Sequence, residues 1–487
     1  MTVEYFDVVI VGAGLSGIGM AYHLQSNCPD KSYVILEGRN AIGGTWDLFR
    51  YPGIRSDSEM YTLGYNFKPW RKDNAIADGA EILKYIEETA HENGIERHIR
   101  FGYLVKQAHW SSEYNRWTIE TENQNTGETI NFSCNFLLMC SGYYSYKNGY
   151  TPDFKGRDFF EGEIVHPQQW PQDLNYQDKK VVVVGSGATA MTLVPEIAKD
   201  ALQVVMLQRS PTYVISSSER LELANFLHKI LPEKIAYAIV RWIYIRLRES
   251  FYRNARRQPE KVKQKLIEQV RQQLGPDYDV ETHFTPKYNP WDQRLCLVLN
   301  NDLFKAISSG KVIVVTDHID TFTQKGILLK SGQELEADII VTATGLNCLL
   351  LGGVKFTVDN LQVDFSKTYT YKGMMYSDVP NLVSTFGYTN TSWTLRTDLT
   401  AEYVCQLINY MDGKGFCRCT PQLRDQDRNM LPHSFVENLS SGYIRRVMHL
   451  FPKQGDRQPW IYPQNYQQER KMLRHEPIND GVLVFTG

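Results

Sequence analysis

Apolar residues fall along this chain either in short unbroken runs or in longer stretches with helical spacing. Phe6 to Val11 is such a run, and Ile18 to Gln25 has apolar positions three and four apart, so the two predict a buried strand followed by a helix. Between them lies Gly12-Ala13-Gly14-Leu15-Ser16-Gly17, and the next run, Tyr33-Val34-Ile35-Leu36, ends at Glu37. The same order returns later. Lys179-Lys180 and four valines lead into Gly185-Ser186-Gly187-Ala188-Thr189-Ala190, and Val204-Val205-Met206-Leu207 ends at Arg209 and Ser210. Phe136-Leu137-Leu138-Met139 before Gly142, and Ile339-Ile340-Val341 before Gly345, read as closing strands of the two units. Arg220 to Leu274 reads as helical.

The glycine runs give these units a chemistry. In G-x-G-x-x-G, Gly12 permits the tight turn, Gly14 lets the backbone approach a pyrophosphate, and Gly17 lets helix pack on strand; the helix N-terminus adds N–H groups and a positive dipole. Glu37 stands where a carboxylate accepts from the ribose hydroxyls of an adenosine but repels a 2'-phosphate, so the first unit is expected to hold FAD or NAD. In the second unit, Gly185, Gly187, Thr189 and Ala190 form the turn. Arg209 and Ser210 replace the acid with a guanidinium and a hydroxyl, which suits the 2'-phosphate of NADP.

The reading is therefore α/β: two Rossmann-like dinucleotide-binding domains, one for FAD and one for NADP, with a helical insertion in the NADP domain. Residues 1–144 are expected to begin the FAD domain and 145–345 to form the NADP domain, with its insertion at about 218–282. Residues 346–487 are expected to complete the FAD domain.

Composition narrows the class. At 487 residues the chain is long enough for about three domains. Lys+Arg 53 against Asp+Glu 55 gives a formal charge of -2, which argues against disorder and against a global nucleic-acid grip. The run Val8 to Val11 lacks a basic flank and is too short for a signal core or a membrane span, so a cytoplasmic chain is expected. Eight cysteines include no C-x-x-C and no Cys/His spacing suited to zinc, so no metal is assigned; Cys417 and Cys419 are read as incidental. Residues 241 to 271 carry ten Lys/Arg against three Asp/Glu and follow an apolar stretch from Ile235 to Ile245. This insert could meet an anionic membrane surface peripherally, or pack on the NADP domain with a solvated basic side.

Phe160-x-Gly162-x-x-x-His166-x-x-x-Trp170-Pro171 is a rarer pattern. It resembles the fingerprint of the Baeyer-Villiger monooxygenases, flavin monooxygenases of class B. Related N- and S-oxygenating enzymes usually end the pattern in Tyr or Phe. The resemblance extends over nearly the whole chain, through Gly43-Gly44-Thr45-Trp46, Arg50 to Asp57 and Leu207 to Pro211. Trp291 to Leu295 and Gly387 to Trp393 look most like the branch containing an ethionamide-activating monooxygenase. Gln293 stands where many members have Lys, which removes one NADP contact.

This resemblance implies an NADPH- and O2-dependent FAD enzyme that converts a small apolar ketone to an ester or lactone through a C4a-peroxyflavin, with sulfide oxidation beside it. The alternative is an N- or S-oxygenase of amines, sulfides or thioamides. It implies catalytic roles for Arg294, as the cation beside the oxygen anion, and for Asp57, which orients it; a loop salt bridge from Arg294 to Asp292 is the competing expectation. Cofactor contacts are expected from Gly12, Gly14, Gly17, Glu37, Gly44, Thr45, Trp46, Asp57, Val105 and Trp393, and from the second turn with Arg209 and Ser210. His166 is expected to couple the two domains rather than to act as acid or base.

Overall fold

The computed structural model describes residues 3–437 and 440–487. Val8, Val9 and Ile10 point alternately to opposite faces of the strand Glu4–Val11, and all are buried, as a strand covered on both sides requires. This strand pairs in parallel with Tyr33–Glu37 on one side and with Thr129–Met139 on the other. On one face Val8 and Ile10 join the core beneath the helices Leu15–Asn27 and Trp393–Lys414. On the other, Val9 and Val11 pack with Trp110, Trp117 and Ile119 of the antiparallel strands Tyr103–Ser111 and Arg116–Asn123.

Lys180–Val184 is the middle of a second sheet, all parallel, between Gln203–Gln208 and Ile339–Thr342, with Val312–Thr316 and Glu163–Val165 at its edges. Beyond it the chain returns to the first sheet. Lys355–Val358 pairs with Tyr103–Ser111, and Leu382–Ser384 pairs with Thr129–Met139. The two passages between the sheets run side by side as an antiparallel pair, Tyr144–Gly149 with Leu346–Cys348.

The insertion departs from a single helical stretch. It forms Glu222–Ile230, Glu233–Arg257 and Pro259–Leu274, because Pro232 and Pro259 each lack the N–H that a continuing helix needs and so each starts a new one. Its placement also differs from the packed alternative considered above. Tyr237 and Val240 of the long helix join the core of the first sheet, whereas Val270 of the last helix joins the core of the second. Among the described residues no helix is long and apolar enough to cross a membrane.

Candidate active site

The first glycine turn is closed by sterics. Gly12 has φ +105°, its N–H donates to the Leu36 carbonyl at 2.8 Å, and a Cβ there would sit 2.7 Å from the Cys140 carbonyl oxygen. A Cβ on Gly17 would lie 1.9 Å from the Gly12 oxygen. Gly14 instead faces Gly44, whose Cα would be 3.6 Å from its added Cβ, so two side-chain-free loops meet where the helix Leu15–Asn27 begins. Glu37 is buried and accepts the Ala13 N–H at 2.7 Å and the Arg39 N–H at 2.9 Å. Burial raises its pKa, against those N–H donors. The carboxylate thus holds the turn's shape. Val105 is buried at a register shift between Tyr103–Ser111 and Arg116–Asn123.

Beside this turn is a cleft of 300 Å³ lined by Gly14, Gly44, Thr45, Trp46, Tyr143 and Trp393, among others. A second cavity, of 310 Å³, is lined by Glu59, Leu247, Arg248, Phe251 and Trp291, among others. Asp57 and Arg294 belong to both walls. Arg294 Nη2 lies 2.9 Å from Asp57 Oδ2, and each side chain is 34 % exposed, so the pair is covered yet open to whatever fills either space. The Asp57 charge holds the guanidinium pKa well above its ordinary value, outweighing burial. Asp292 does not compete; it pairs with Arg256 at 2.7 Å. The Tyr143 and Tyr144 hydroxyls are 2.8 Å apart, and burial pushes both phenols up, so they stay neutral. The Trp393 ring stacks on Tyr143, and its indole N–H donates to Ser16 Oγ at 2.8 Å, so Trp393 is anchored to the first residues of the glycine-turn helix.

Three further charged groups complete these walls. Arg55 pairs through Nη1 with Asp302 at 2.8 Å, while its buried Nε and Nη2 have no partner among the described residues, and the side chain lines the 300 Å³ cleft. Unsatisfied buried guanidinium donors facing a cavity suit an anionic group there. The Arg50 to Asp57 stretch was the available signal for it. Glu59 accepts from Arg248 Nε at 2.8 Å in the other cavity, a pairing across 189 positions that no local pattern announces.

At the second turn Gly185 has φ +145°, and a Cβ there would meet the Ala343 carbonyl oxygen at 2.3 Å. Gly187 has open space around it, so its backbone is approachable. Ala188 opens the helix Ala188–Ile197, with Thr189 half-buried and Ala190 buried within its first turn. Arg209 and Ser210 are exposed beyond Gln203–Gln208, and Ser186 Oγ–H donates to the Ser210 carbonyl at 3.0 Å, tying the two loops together.

Residues 7–376 match the flavin-binding monooxygenase-like family. The chain is 52% identical over 484 residues to the FAD-containing monooxygenase EthA of Mycobacterium tuberculosis (strain ATCC 25618 / H37Rv), covering 99% of this chain and 98% of that one. The chain belongs to the flavin-binding monooxygenase-like family. In fold, this flavin-binding monooxygenase resembles an oxidized steroid monooxygenase bound to NADP, with TM-score 0.74 at 24% identity over 87% of this chain and 88% of that one. It also resembles OTEMO in complex with FAD and NADP, with TM-score 0.77 at 21% identity over the whole of both chains.

In this flavin-binding monooxygenase His166 lines neither cavity. Its Nε2–H donates to the Gly345 carbonyl at 3.0 Å, and its Nδ1 accepts the Gln168 N–H at 3.1 Å, an arrangement that requires the neutral ring. A Cβ on Gly149 would fall 1.9 Å from the imidazole, so the ring is wedged against both passages between the sheets. Burial lowers its pKa below the ordinary 6.5. The unfolded chain then binds the proton more tightly, and stability present above pH 6.5 is lost as pH falls through the lowered native value. Thermal unfolding midpoints should therefore drop between about pH 7.5 and pH 5.5, and His166→Gln should show a smaller drop than the parent. Equal slopes would mean that His166 protonation is not linked to folding.

Proposed function

We propose that this chain is an FAD-containing, NADPH- and O2-dependent monooxygenase that inserts one oxygen atom beside a ketone carbonyl, giving an ester or lactone. The observation that carries this reading is the Arg294–Asp57 pair in the common wall of two cavities. One cavity begins at the glycine turn that suits FAD, and the other offers an apolar space for a substrate. Gly12, Gly14, Gly17 and Glu37 would hold the adenosine end of FAD, with Gly44, Thr45, Trp46 and Trp393 along its length and Val105 beside the adenosine. A bound flavin supplies hydride acceptance and the activation of dioxygen.

The protein's own share is electrostatic. Oxygen insertion develops negative charge on oxygen, and Arg294 places a permanently protonated guanidinium where both cavities meet. Asp57 fixes its direction through one contact, Nη2 to Oδ2 at 2.9 Å, which leaves the other guanidinium donors for an oxygen anion. Tyr143 and Trp393 wall the cleft with stacked rings that narrow the access of water to that charge. Product analysis over linear, cyclic and aryl ketones beside one sulfide, with NADPH and air, tests the reading. Esters or lactones are expected; sulfoxide alone would favour the N- and S-oxygenating alternative, and no oxygenated product would overturn both.

Gly185, Gly187, Thr189 and Ala190 would hold the NADPH pyrophosphate, with Arg209 and Ser210 on its 2'-phosphate. Loss of one charge-assisted contact costs about 1.5 to 3 kcal/mol, so Arg209→Ala should raise the NADPH KM roughly ten- to a hundredfold while barely moving that for NADH. Equal losses with both coenzymes would remove Arg209 from the phosphate site.

A further inference from the structure

The first two helices of the insertion turn apolar side chains outward. Leu223, Phe226 and Ile230 on Glu222–Ile230, and Ile235, Ile239 and Trp242 on Glu233–Arg257, are each between 37% and 58% exposed. The spacings of three and four place each trio on one helix face. Single exposed apolar residues are ordinary; six on consecutive helices joined by Leu231-Pro232 form a patch.

Charge follows the patch. Along the long helix the stripe continues at helical spacing into Arg246, Arg253 and Arg257, all exposed and without an ion-pair partner among the described residues. The Arg246 guanidinium lies 5.7 Å from the Trp242 ring centroid. Four other cations of this basic run are already committed, Arg241 to Asp398, Arg248 to Glu59, Arg256 to Asp292 and Arg271 to Glu281, and its three lysines, Lys261, Lys263 and Lys265, stand on the next helix, Pro259–Leu274. The opposite face of the same helix is held in the protein by buried Tyr237, Val240 and Ile245. Leu247, 56% exposed, nevertheless lines the 310 Å³ cavity together with Arg248 and Phe251, so that cavity reaches the surface on the helix that bears the stripe.

We propose that this helical hairpin docks on an anionic bilayer surface, and that the 310 Å³ cavity receives a membrane-dissolved, long-chain ketone or sulfide past Leu247. The substrate half rests on the monooxygenase reading above; the docking half does not. An apolar stripe running into guanidinium groups matches the boundary between acyl chains and lipid phosphates when the helix is tilted, with its apolar first half toward the acyl chains and its arginines at the phosphates. A second copy of the chain would cover the apolar half but offers no reason for the unpaired cations beside it.

The test uses the full chain, phosphatidylcholine vesicles, and vesicles in which roughly a third of the lipid is phosphatidylglycerol. Sedimentation should be at least about tenfold stronger with the anionic vesicles and should be reversed by high salt. The variant Phe226→Ser/Ile235→Ser/Trp242→Ser changes only exposed positions. It should lose vesicle binding yet keep anaerobic flavin reduction by NADPH, and it should oxidise a vesicle-borne long-chain ketone about tenfold more slowly than the parent while matching it on a short soluble ketone. Absence of parent binding, or parent-like binding by the variant, would overturn docking. A parent dimer that becomes monomeric in the variant, without vesicle binding, would do the same and make the patch a self-interface. Vesicle binding with equal rates of the two proteins on the long-chain ketone would overturn entry past Leu247. Vesicle binding with no ketone oxidised at all would leave docking standing and remove the ketone reading of the site.

Discussion

In Arg294→Ala, NADPH should still bleach the flavin in an anaerobic stopped-flow trace, while oxygenated product should fall by at least about a hundredfold. Hydride transfer develops no oxygen anion, so it does not draw on the guanidinium; oxygen insertion does. NADPH consumption should continue slowly, with hydrogen peroxide as its product. The neighbours of Arg294 give the deficit its size. Tyr143 and Tyr144 are held neutral by burial and can donate hydrogen bonds, but neither supplies a charge. Arg294→Lys should recover only part of the loss, since an ammonium lacks the planar set of donors that can hold Asp57 and an oxygen anion together and is more readily deprotonated in a covered site. Asp57→Ala should show a milder form of the same split, because it removes the orienting partner and leaves the cation in place. Ester or lactone formation at near-parent rates in Arg294→Ala would remove that residue from the proposed chemistry, and Arg55, with two buried unpaired donors in the adjoining cleft, would become the cation to examine.

The two sheets were legible because their central strands are unbroken apolar runs and their turns need glycine. Even there, one letter serves different needs: Gly12, Gly17 and Gly185 are cramped by backbone oxygens, whereas Gly187 borders open space. Local pattern can announce the turn without distinguishing these. The meeting of Asp57 with Arg294 depends on how two distant segments fold, and the resemblance rather than spacing pointed to it. Charge counting was weaker still. The excess of Lys and Arg from 241 to 271 is real, but Asp398, Glu59 and Asp292, which take up three of those cations, lie outside the run. What remains as a surface feature is smaller than the composition suggests, and its position was set by the prolines that divide the insertion.

Arg241 is the clearest case of a residue whose role changes once its surroundings are known, and Arg241→Met should destabilise the protein by about 3 to 5 kcal/mol. Its Nη1 donates to the carbonyls of Tyr61 at 2.9 Å and Gly64 at 2.7 Å, at the C-terminal end of the short helix Met60–Leu63, and its Nη2 donates to Asp398 Oδ2 at 3.2 Å. Burial alone would lower its pKa; Tyr237 and Asp398 more than offset this and keep it charged. Methionine fills similar volume, so the expected cost comes from stranded carbonyl groups and from Asp398, which among the described residues would keep only the Asn66 N–H at 3.1 Å and His23 at 3.4 Å. Arg246→Met, on the exposed side of the same helix, should change stability by no more than about 0.5 kcal/mol. Urea unfolding of the two variants checks the contrast, and coincident midpoints would show that the buried guanidinium does not tie the insertion to the first sheet. Because that helix also carries Arg248 and Phe251 into the cavity wall, Arg241→Met should raise the KM for ketone while leaving flavin reduction by NADPH close to the parent rate.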